Sequence, residues 1–179
     1  MKQIKTLVLL LFFTTSFHLY AQESTTEKDK IVWMDFETVY KLYTTTPKPI
    51  LIDLYTDWCH WCKVMDEKTY KDPRIIAYIT EKYYTVKFNA ESKSEVDFFG
   101  KKFQFGTYGN AHDLAYYLTG GQLAFPTTIV LPANQNKAST FPGYLNVKEM
   151  EKLIKFFGTD SNLNLSYEEF GKDFKNEWE

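Results

Sequence analysis

The sequence predicts an α/β domain in which helices flank a central mixed β-sheet. Strand-like and helix-like segments alternate along the chain, which is typical of this class. The run Ile50 to Tyr55 is apolar except for Asp53, as expected for a central strand that is covered on both faces. A Cys-x-x-Cys pair, Cys59 and Cys62, follows that run after three residues. With 179 residues and 44% hydrophobic content, we expect one globular domain.

Four elements are predicted before residue 84. Apolar residues at helical spacing predict a helix over 33–43, which the polar and proline-containing stretch 44–49 ends. The apolar run is the first strand, and the residues after the cysteines have the composition of a helix. Asp72 followed by Pro73 marks the start of a further helix over 74–83, because Asp is a favoured cap and Pro suits the first turn.

Three strands and three helices are predicted between residues 84 and 158. β-Branched and aromatic residues mark the strands. Ser94 with Asp97, and Asn146 with Glu149, have the spacing of a capping box at a helix start. The expected strands cover 84–89, 127–131 and 139–141, and the expected helices cover 94–103, 112–118 and 147–158.

The last segment, 159–179, is predicted as a helical extension of the domain. Aromatic residues at spacings of three and four predict an amphipathic helix over 166–179. They are Tyr167, Phe170, Phe174 and Trp178. We expect this stripe to pack against the domain, and a partner-binding helix is the alternative.

The first residues, 1–21, have the pattern of a signal peptide. Two lysines precede an apolar run over 7–13, and a cleavage site is expected after Ala21. The run is shorter than the ~20 residues that span a bilayer, so we expect cleavage rather than an uncleaved anchor. A flexible leader over 22–30 and a domain over 31–158 then follow, in a periplasmic or secreted protein that does not span the membrane.

The charge and the cysteine content limit the partners. A net charge of −2 without a stripe of basic residues argues against binding to nucleic acid or to a membrane surface. The 2 cysteines cannot form a disulfide framework. Protein thiols and disulfides are therefore the expected partners.

Cys59 and Cys62 have the spacing of a redox-active pair. A disulfide between residues three apart closes a small loop and adds little stability in the chain-entropy account. At a helix start, the dipole and unpaired N–H groups favour the Cys59 thiolate as the nucleophile, and Cys62 then resolves the mixed disulfide. Structural zinc is the alternative, but it needs four ligands, and the mature chain adds only His60 and His112. We therefore predict no metal, and no cofactor beyond the disulfide itself.

Several segments resemble the thioredoxin superfamily. The stretch 50–63 is similar to the thioredoxin active-site segment, including an acidic residue six positions before the first cysteine. The stretch 68–74 resembles the C-terminal domain of DsbD-type transmembrane reductases, and 59–65 resembles the spermatogenesis-associated and DUF255 thioredoxin-like domains. Phe125-Pro126-Thr127-Thr128 is similar to the cis-proline loop of the family. The resemblance covers 33–157 and implies a thioredoxin fold.

The resemblance also implies roles for individual residues. Pro126 is expected to be a cis-proline that faces the cysteines, with the backbone of Phe125 pairing with an extended substrate; the alternative is an ordinary trans proline. Asp53 is expected beneath Cys62 as a proton acceptor, since a carboxyl in an apolar strand is costly unless it serves a purpose. The alternative for Asp53 is an exposed charge at the strand end.

The residues beside the cysteines are candidates for substrate binding. Trp58 is expected to form an apolar rim at the site or, equally, to be a core tryptophan. His60 and Trp61 stand where thioredoxin has Gly and Pro. A cationic His60 would stabilise the Cys59 thiolate and make the couple more oxidising, or the ring would point to solvent without effect. Trp61 adds bulky apolar surface.

The stretch before the proline loop, 90–125, is longer than the corresponding part of thioredoxin. We expect a helical insert with two helices. It either covers the site and selects substrates or enlarges the core, and the second is our expectation.

Two functions of different classes fit these residues. In the first, the protein is a thiol–disulfide oxidoreductase of exported proteins, more a reductase than an oxidase, that receives electrons from a membrane donor. In the second, it is a binding module, either a Cu(I) chaperone with Met65 near its thiolates or a protein-binding adaptor. The sequence favours the enzyme, because copper-handling relatives usually carry additional His or Met ligands.

Overall fold

The structure is a computed structural model that describes residues 29–133, 137–159 and 161–178. In this part of the chain, a four-stranded sheet and a two-stranded sheet are accompanied by seven helices. The strands are β1 (Ile50–Tyr55), β2 (Tyr84–Asn89), β3 (Val96–Phe98), β4 (Lys101–Phe103), β5 (Thr127–Leu131) and β6 (Ser139–Pro142). The helices are α1 (Phe36–Thr45), α2 (His60–Lys68), α3 (Pro73–Lys82), α4 (Asp113–Thr119), α5 (Val147–Gly158), α6 (Ser161–Asn164) and α7 (Tyr167–Asp173). The predicted signal peptide, 1–21, lies outside the described residues, as does most of the predicted leader.

The larger sheet is mixed, as predicted. Its strand order is β2-β1-β5-β6, with β1 parallel to β2 and antiparallel to β5, and with β5 antiparallel to β6. The apolar side chains of β1 alternate between two cores, because successive residues of a strand point to opposite faces. Ile50, Ile52 and Leu54 pack with α1 and α4, whereas Leu51 packs with α3 and α5.

The predicted helix starts at Asp72 and at Asn146 are confirmed. Asp72 caps α3 by accepting from the backbone N–H of Arg74 and Ile75, and Pro73 is the first residue of the helix. Asn146 and Glu149 form a complete capping box at α5. Among the described residues, no helix combines the length and the apolar character needed to cross a bilayer.

The helix predicted over 94–103 is wrong, because this segment is the hairpin of β3 and β4. Phe99 (φ 54°) and Gly100 (φ 80°) form its tight turn in the left-handed region, which glycine adopts without strain. Oδ1 of Asp97 accepts a hydrogen bond from the N–H of Gly100 at 2.7 Å, so this carboxylate supports a turn rather than a helix start. The insert therefore contains one hairpin and one helix, α4. Phe98 and Phe103 pack against the α1 side of the sheet, and the insert enlarges the core as expected.

The C-terminal extension is helical over a shorter range than predicted. The helix expected over 166–179 ends at Asp173, and residues beyond it bind the buried carboxylate of Glu151 instead of continuing the helix. Glu151 of α5 accepts hydrogen bonds from the backbone N–H of Glu177 at 2.9 Å and of Trp178 at 3.2 Å. These bonds replace the helical ones. The aromatic stripe nevertheless packs on the domain as predicted, with Phe170 against Phe156.

Candidate active site

Cys59 and Cys62 are joined by a disulfide at the start of α2. The strand β1 ends at Tyr55, a short turn follows, and Cys59 is the N-cap of the helix. Its Sγ accepts a hydrogen bond from the N–H of Cys62 at 3.0 Å. When the Cys59–Cys62 disulfide is reduced, the N–H of Cys62 and the positive end of the helix dipole stabilise a thiolate on Cys59. The predicted position of the pair at a helix start is confirmed.

Asp53 is buried in the middle of the sheet rather than exposed at a strand end. Its side chain is 2% exposed, and Oδ2 lies 2.6 Å from Nζ of Lys87. The same ammonium group contacts Oδ1 of Asp66, on α2, at 2.5 Å. Three rings also face it, with centroids 5.0 to 5.7 Å from Nζ: Trp33, Tyr55 and Tyr70. Lys87 is thus held by two carboxylates and an aromatic cage.

The burial of this pair sets its proton affinities. Burial raises the pKa of the Asp53 carboxyl, and the nearby Lys87 only partly opposes that rise. Burial acts to lower the pKa of Lys87, but Asp53 and Asp66 outweigh it and leave that pKa raised. Within the described residues, Oδ1 of Asp53 has no hydrogen-bond partner. Asp53 therefore has one oxygen bound to Lys87 and a second that can accept a proton.

The sequence prediction missed Lys87 and Asp66. Strand register could have found Lys87, because it is the one charged residue of β2 and lies opposite Asp53 in the parallel pair β1–β2. Asp66 carries no comparable signal, since it stands among the exposed and half-exposed residues of α2.

The proline loop has the predicted conformation. The Phe125–Pro126 peptide bond is cis, and Pro126 is buried directly before β5. The rings of Phe125 and Trp58 form a T-shaped contact, with centroids 5.8 Å apart. This contact connects the proline loop to the turn that carries the cysteines.

Two exposed tryptophans accompany the disulfide: Trp58 directly precedes Cys59, and Trp61 lies between the two cysteines. Trp58 is 66% exposed and donates from Nε1 to Oε1 of Glu91 at 3.1 Å, so the alternative of a core tryptophan is wrong. Trp61 is 56% exposed and packs against His60 and Tyr144, with ring centroids 5.7 and 5.6 Å away. Glu91 and Tyr144 were missed, because each is distant in sequence from the tryptophan that it contacts.

The described residues do not form a cluster of potential metal ligands. No group of three or more His, Cys, Asp or Glu side chains in this part of the chain is arranged as ligands. His112 instead caps α4, where Nδ1 accepts from the N–H of Leu114 and Nε2 lies 3.0 Å from the carbonyl oxygen of Ser94. Met65, which the Cu(I) alternative places near the thiolates, is fully buried in the core.

A family model described as "Thioredox_DsbH: Protein of unknown function, DUF255" matches residues 14–169. The chain belongs to this family. Membership in the Thioredox_DsbH family agrees with the resemblance found around the cysteines and with the mixed sheet. Family, fold and the Cys59–Cys62 disulfide together support a general assignment as a thiol–disulfide oxidoreductase.

Solved structures agree on the fold. A thioredoxin-fold protein from Helicobacter pylori superimposes with a TM-score of 0.55 at 16% identity, covering 70% of this chain and 79% of that one. A structure titled "DsbH Oxidoreductase" gives a TM-score of 0.51 at 14% identity, covering 76% and 87%. At such low identity, these likenesses establish the thioredoxin fold alone.

Curated relatives match over a short stretch. The thiol:disulfide interchange protein DsbD of Campylobacter jejuni (strain RM1221) is 43% identical over 42 residues. That match covers 24% of this chain and 7% of the relative, so this member of the Thioredox_DsbH family spans only a small part of the length of DsbD.

Proposed function

We propose that this protein is an exported thiol–disulfide oxidoreductase that mainly reduces disulfides of other exported proteins. The observation that carries the proposal is the Cys59–Cys62 disulfide at the N-terminus of α2. Trp58, the residue before Cys59, contacts Phe125 of the cis-proline loop and so joins that loop to the disulfide. A periplasmic or secreted location is proposed from the signal-peptide pattern of residues 1–21.

The reduced protein would transfer two electrons in two steps. The Cys59 thiolate attacks one sulfur of a substrate disulfide, forms a mixed disulfide and releases the other substrate sulfur as a thiolate. Cys62 then loses its proton to Oδ1 of Asp53 and attacks Sγ of Cys59. This second attack releases the remaining substrate thiolate and restores the Cys59–Cys62 disulfide, so the substrate is reduced and the protein is oxidised.

Substrate would bind as an extended segment beside the proline loop. The backbone N–H and C=O of Phe125 make no hydrogen bond to any described residue, so they can pair with a substrate strand. Trp58, His60 and Trp61 border the disulfide and would contact the substrate residues next to its cysteine. A membrane protein that carries a dithiol would return two electrons to the Cys59–Cys62 disulfide after each cycle.

The test is the reduction potential of the couple in the mature protein, measured by equilibration with glutathione or dithiothreitol buffers. A reductase should have a value near that of thioredoxin, about −270 mV, and an oxidant one near that of DsbA, about −120 mV. Cys59→Ser should abolish turnover of a protein disulfide. A couple that does not cycle, or a Cys59→Ser variant with full activity, contradicts the proposal.

A further inference from the structure

The disulfide is bordered by two separate aromatic pairs. Trp58 and Phe125 form one pair, before the first cysteine and at the proline loop. Trp61 and Tyr144 form the other, between the cysteines and in the segment that joins β6 to α5. Each pair leaves one tryptophan more than half exposed, which is a large apolar surface to leave in water beside a reactive bond.

Both tryptophans are held in place before any substrate arrives. Trp58 is fixed by its hydrogen bond to Glu91 and by its T-shaped contact with the ring of Phe125. Trp61 lies between the rings of His60 and Tyr144. A side chain that is already ordered loses little conformational freedom on binding, so its contacts contribute more fully to affinity.

The second pair depends on the same loop as the first. The N–H of Gly143 donates to the carbonyl oxygen of Pro126 at 2.8 Å, which ties the residue before Tyr144 to the proline loop. Gly143 has φ 98°, in the left-handed region that glycine tolerates. The loop that bears the substrate-pairing Phe125 backbone therefore also positions Tyr144 against Trp61.

We propose that Trp61 and Tyr144 form a specificity subsite for a large apolar side chain, preferably aromatic, that is adjacent to the reacting cysteine of a polypeptide. This inference rests on the proposed function, and it narrows the substrate class to unfolded or extended chains with aromatic residues next to cysteine. A substrate ring placed on Trp61 would bury apolar area on both partners and add an aromatic contact. Glutathione, which has no apolar side chain beside its cysteine, would gain nothing from the subsite.

The test compares three disulfides as substrates of the reduced mature protein. Two are peptides that differ only in having Phe or Ala next to the cysteine, and the third is oxidised glutathione. The second-order rate constant is measured for the wild type, Trp61→Ala, Trp61→Phe, Tyr144→Ala and a control, Tyr108→Ala. Tyr108 is an exposed aromatic residue, 72% accessible, that contacts Tyr116 of the insert and neither tryptophan.

The wild type should react with the Phe peptide about tenfold faster than with the Ala peptide, the scale expected for one aromatic contact plus its buried area. Trp61→Ala should reduce this ratio to about twofold, Tyr144→Ala should reduce it in part, and Trp61→Phe and Tyr108→Ala should keep it. The ratio of the Phe-peptide rate to the oxidised-glutathione rate should fall in Trp61→Ala and Tyr144→Ala and should stay unchanged in Tyr108→Ala, because a general change in cysteine reactivity cancels in this ratio.

Three results overturn the inference. If the ratio of the Phe-peptide to the Ala-peptide rate constant is unchanged in Trp61→Ala, another surface of the protein recognises the aromatic side chain. Equal loss with all three disulfides means that the ring tunes the cysteines instead of binding substrate. A wild type that reduces none of the three contradicts the proposed function itself, and the inference falls with it.

Discussion

Nζ of Lys87 lies 2.6 Å from Oδ2 of Asp53 and also binds Asp66, so one ammonium group neutralises a carboxylate of β1 and a carboxylate of the disulfide-bearing helix α2. The Asp53 side chain is almost completely buried, whereas that of Asp66 is 39% exposed. A buried charge that loses its partner is costly, while an exposed one regains water. The stability of the fold should therefore depend on Lys87 mainly through Asp53.

Lys87→Met should lower the free energy of unfolding at neutral pH by about 3 kcal/mol, near the low end for breaking a buried ion pair. The loss should be smaller at mildly acidic pH, where Asp53 takes up a proton and no longer needs a counter-charge. Urea unfolding at both pH values measures the difference. Lys63→Met, which removes an exposed lysine from α2, is the matched control and should unfold like the wild type. A loss independent of pH would show that Asp53 is not the group left unpaired.

Asp53→Asn should stabilise the protein at neutral pH while slowing disulfide exchange. Burial raises the pKa of Asp53 in the folded state above its unfolded value, so the ionised carboxylate opposes folding. The wild type should lose stability as pH rises through that raised pKa, and the Asn variant should not. Lys87 keeps Asp66 as a partner in the variant, so no lone charge is left behind.

Melting temperatures of the wild type and of Asp53→Asn, measured from acidic to neutral pH, test the stability part of this prediction. The difference between the two melting temperatures should widen as the pH rises. Stopped-flow measurement of Cys62 attack on a mixed disulfide gives the other part, with an expected loss of at least about tenfold for removal of a general base. Asp66→Asn is the matched control and should show a smaller change both in melting temperature and in the rate of Cys62 attack. An Asn variant that melts below the wild type at neutral pH contradicts this account of Asp53.

Helices whose starts are specified by neighbouring residues in the sequence were predicted correctly. Errors arose where contacts between residues distant in sequence determine the secondary structure. Asp72 and Asn146 cap their own helices, so a few neighbouring residues specify each start. Ser94 and Asp97 have the spacing of a capping box as well, but the packing of Phe98 and Phe103 against α1 and α4 favours a hairpin. Tertiary packing overrode the local pattern there.

The candidate site shows the same division. The positions of the cysteines, Asp53 and the cis-proline follow from a strand pattern and from a recognisable set of motifs. Glu91 and Tyr144 contact Trp58 and Trp61 across 33 and 83 residues of sequence respectively (91 − 58 and 144 − 61). No spacing rule predicts contacts of this kind, because they depend on how the insert and the β6–α5 segment fold over the sheet.

Glu151→Ala should release the C-terminal segment without unfolding the domain. The Glu151 side chain is fully buried and binds Lys155, Asn176 and two backbone N–H groups of the last residues described. Burial acts to raise the pKa of Glu151, but these hydrogen bonds outweigh it and lower that pKa. The contact therefore contributes stability above the ordinary pKa of glutamate, and that stability is lost as pH falls through the lowered value.

Hydrogen exchange measured by mass spectrometry tests this prediction. Amides of 167–178 should exchange faster in Glu151→Ala, while those of β1 should keep their protection, because β1 is hydrogen-bonded to β2 on one side and to β5 on the other. Glu168→Ala, which removes an exposed carboxylate from α7, serves as the control. Equal protection of 167–178 in both variants would mean that the aromatic stripe alone holds the extension.

His60→Ala should make the Cys59–Cys62 couple more reducing. His60 is the first residue of α2, directly after the nucleophilic Cys59, and its ring is exposed beside Trp61. A cationic imidazole there stabilises the Cys59 thiolate and hence the reduced form, so its removal should shift the potential by about −30 mV, equivalent to ~1.4 kcal/mol. Lys68→Ala removes a cation from the last turn of the same helix and should leave the potential unchanged. An equal shift in both variants would assign the effect to net charge, and no shift in His60→Ala would mean that this ring acts only as a neighbour of Trp61.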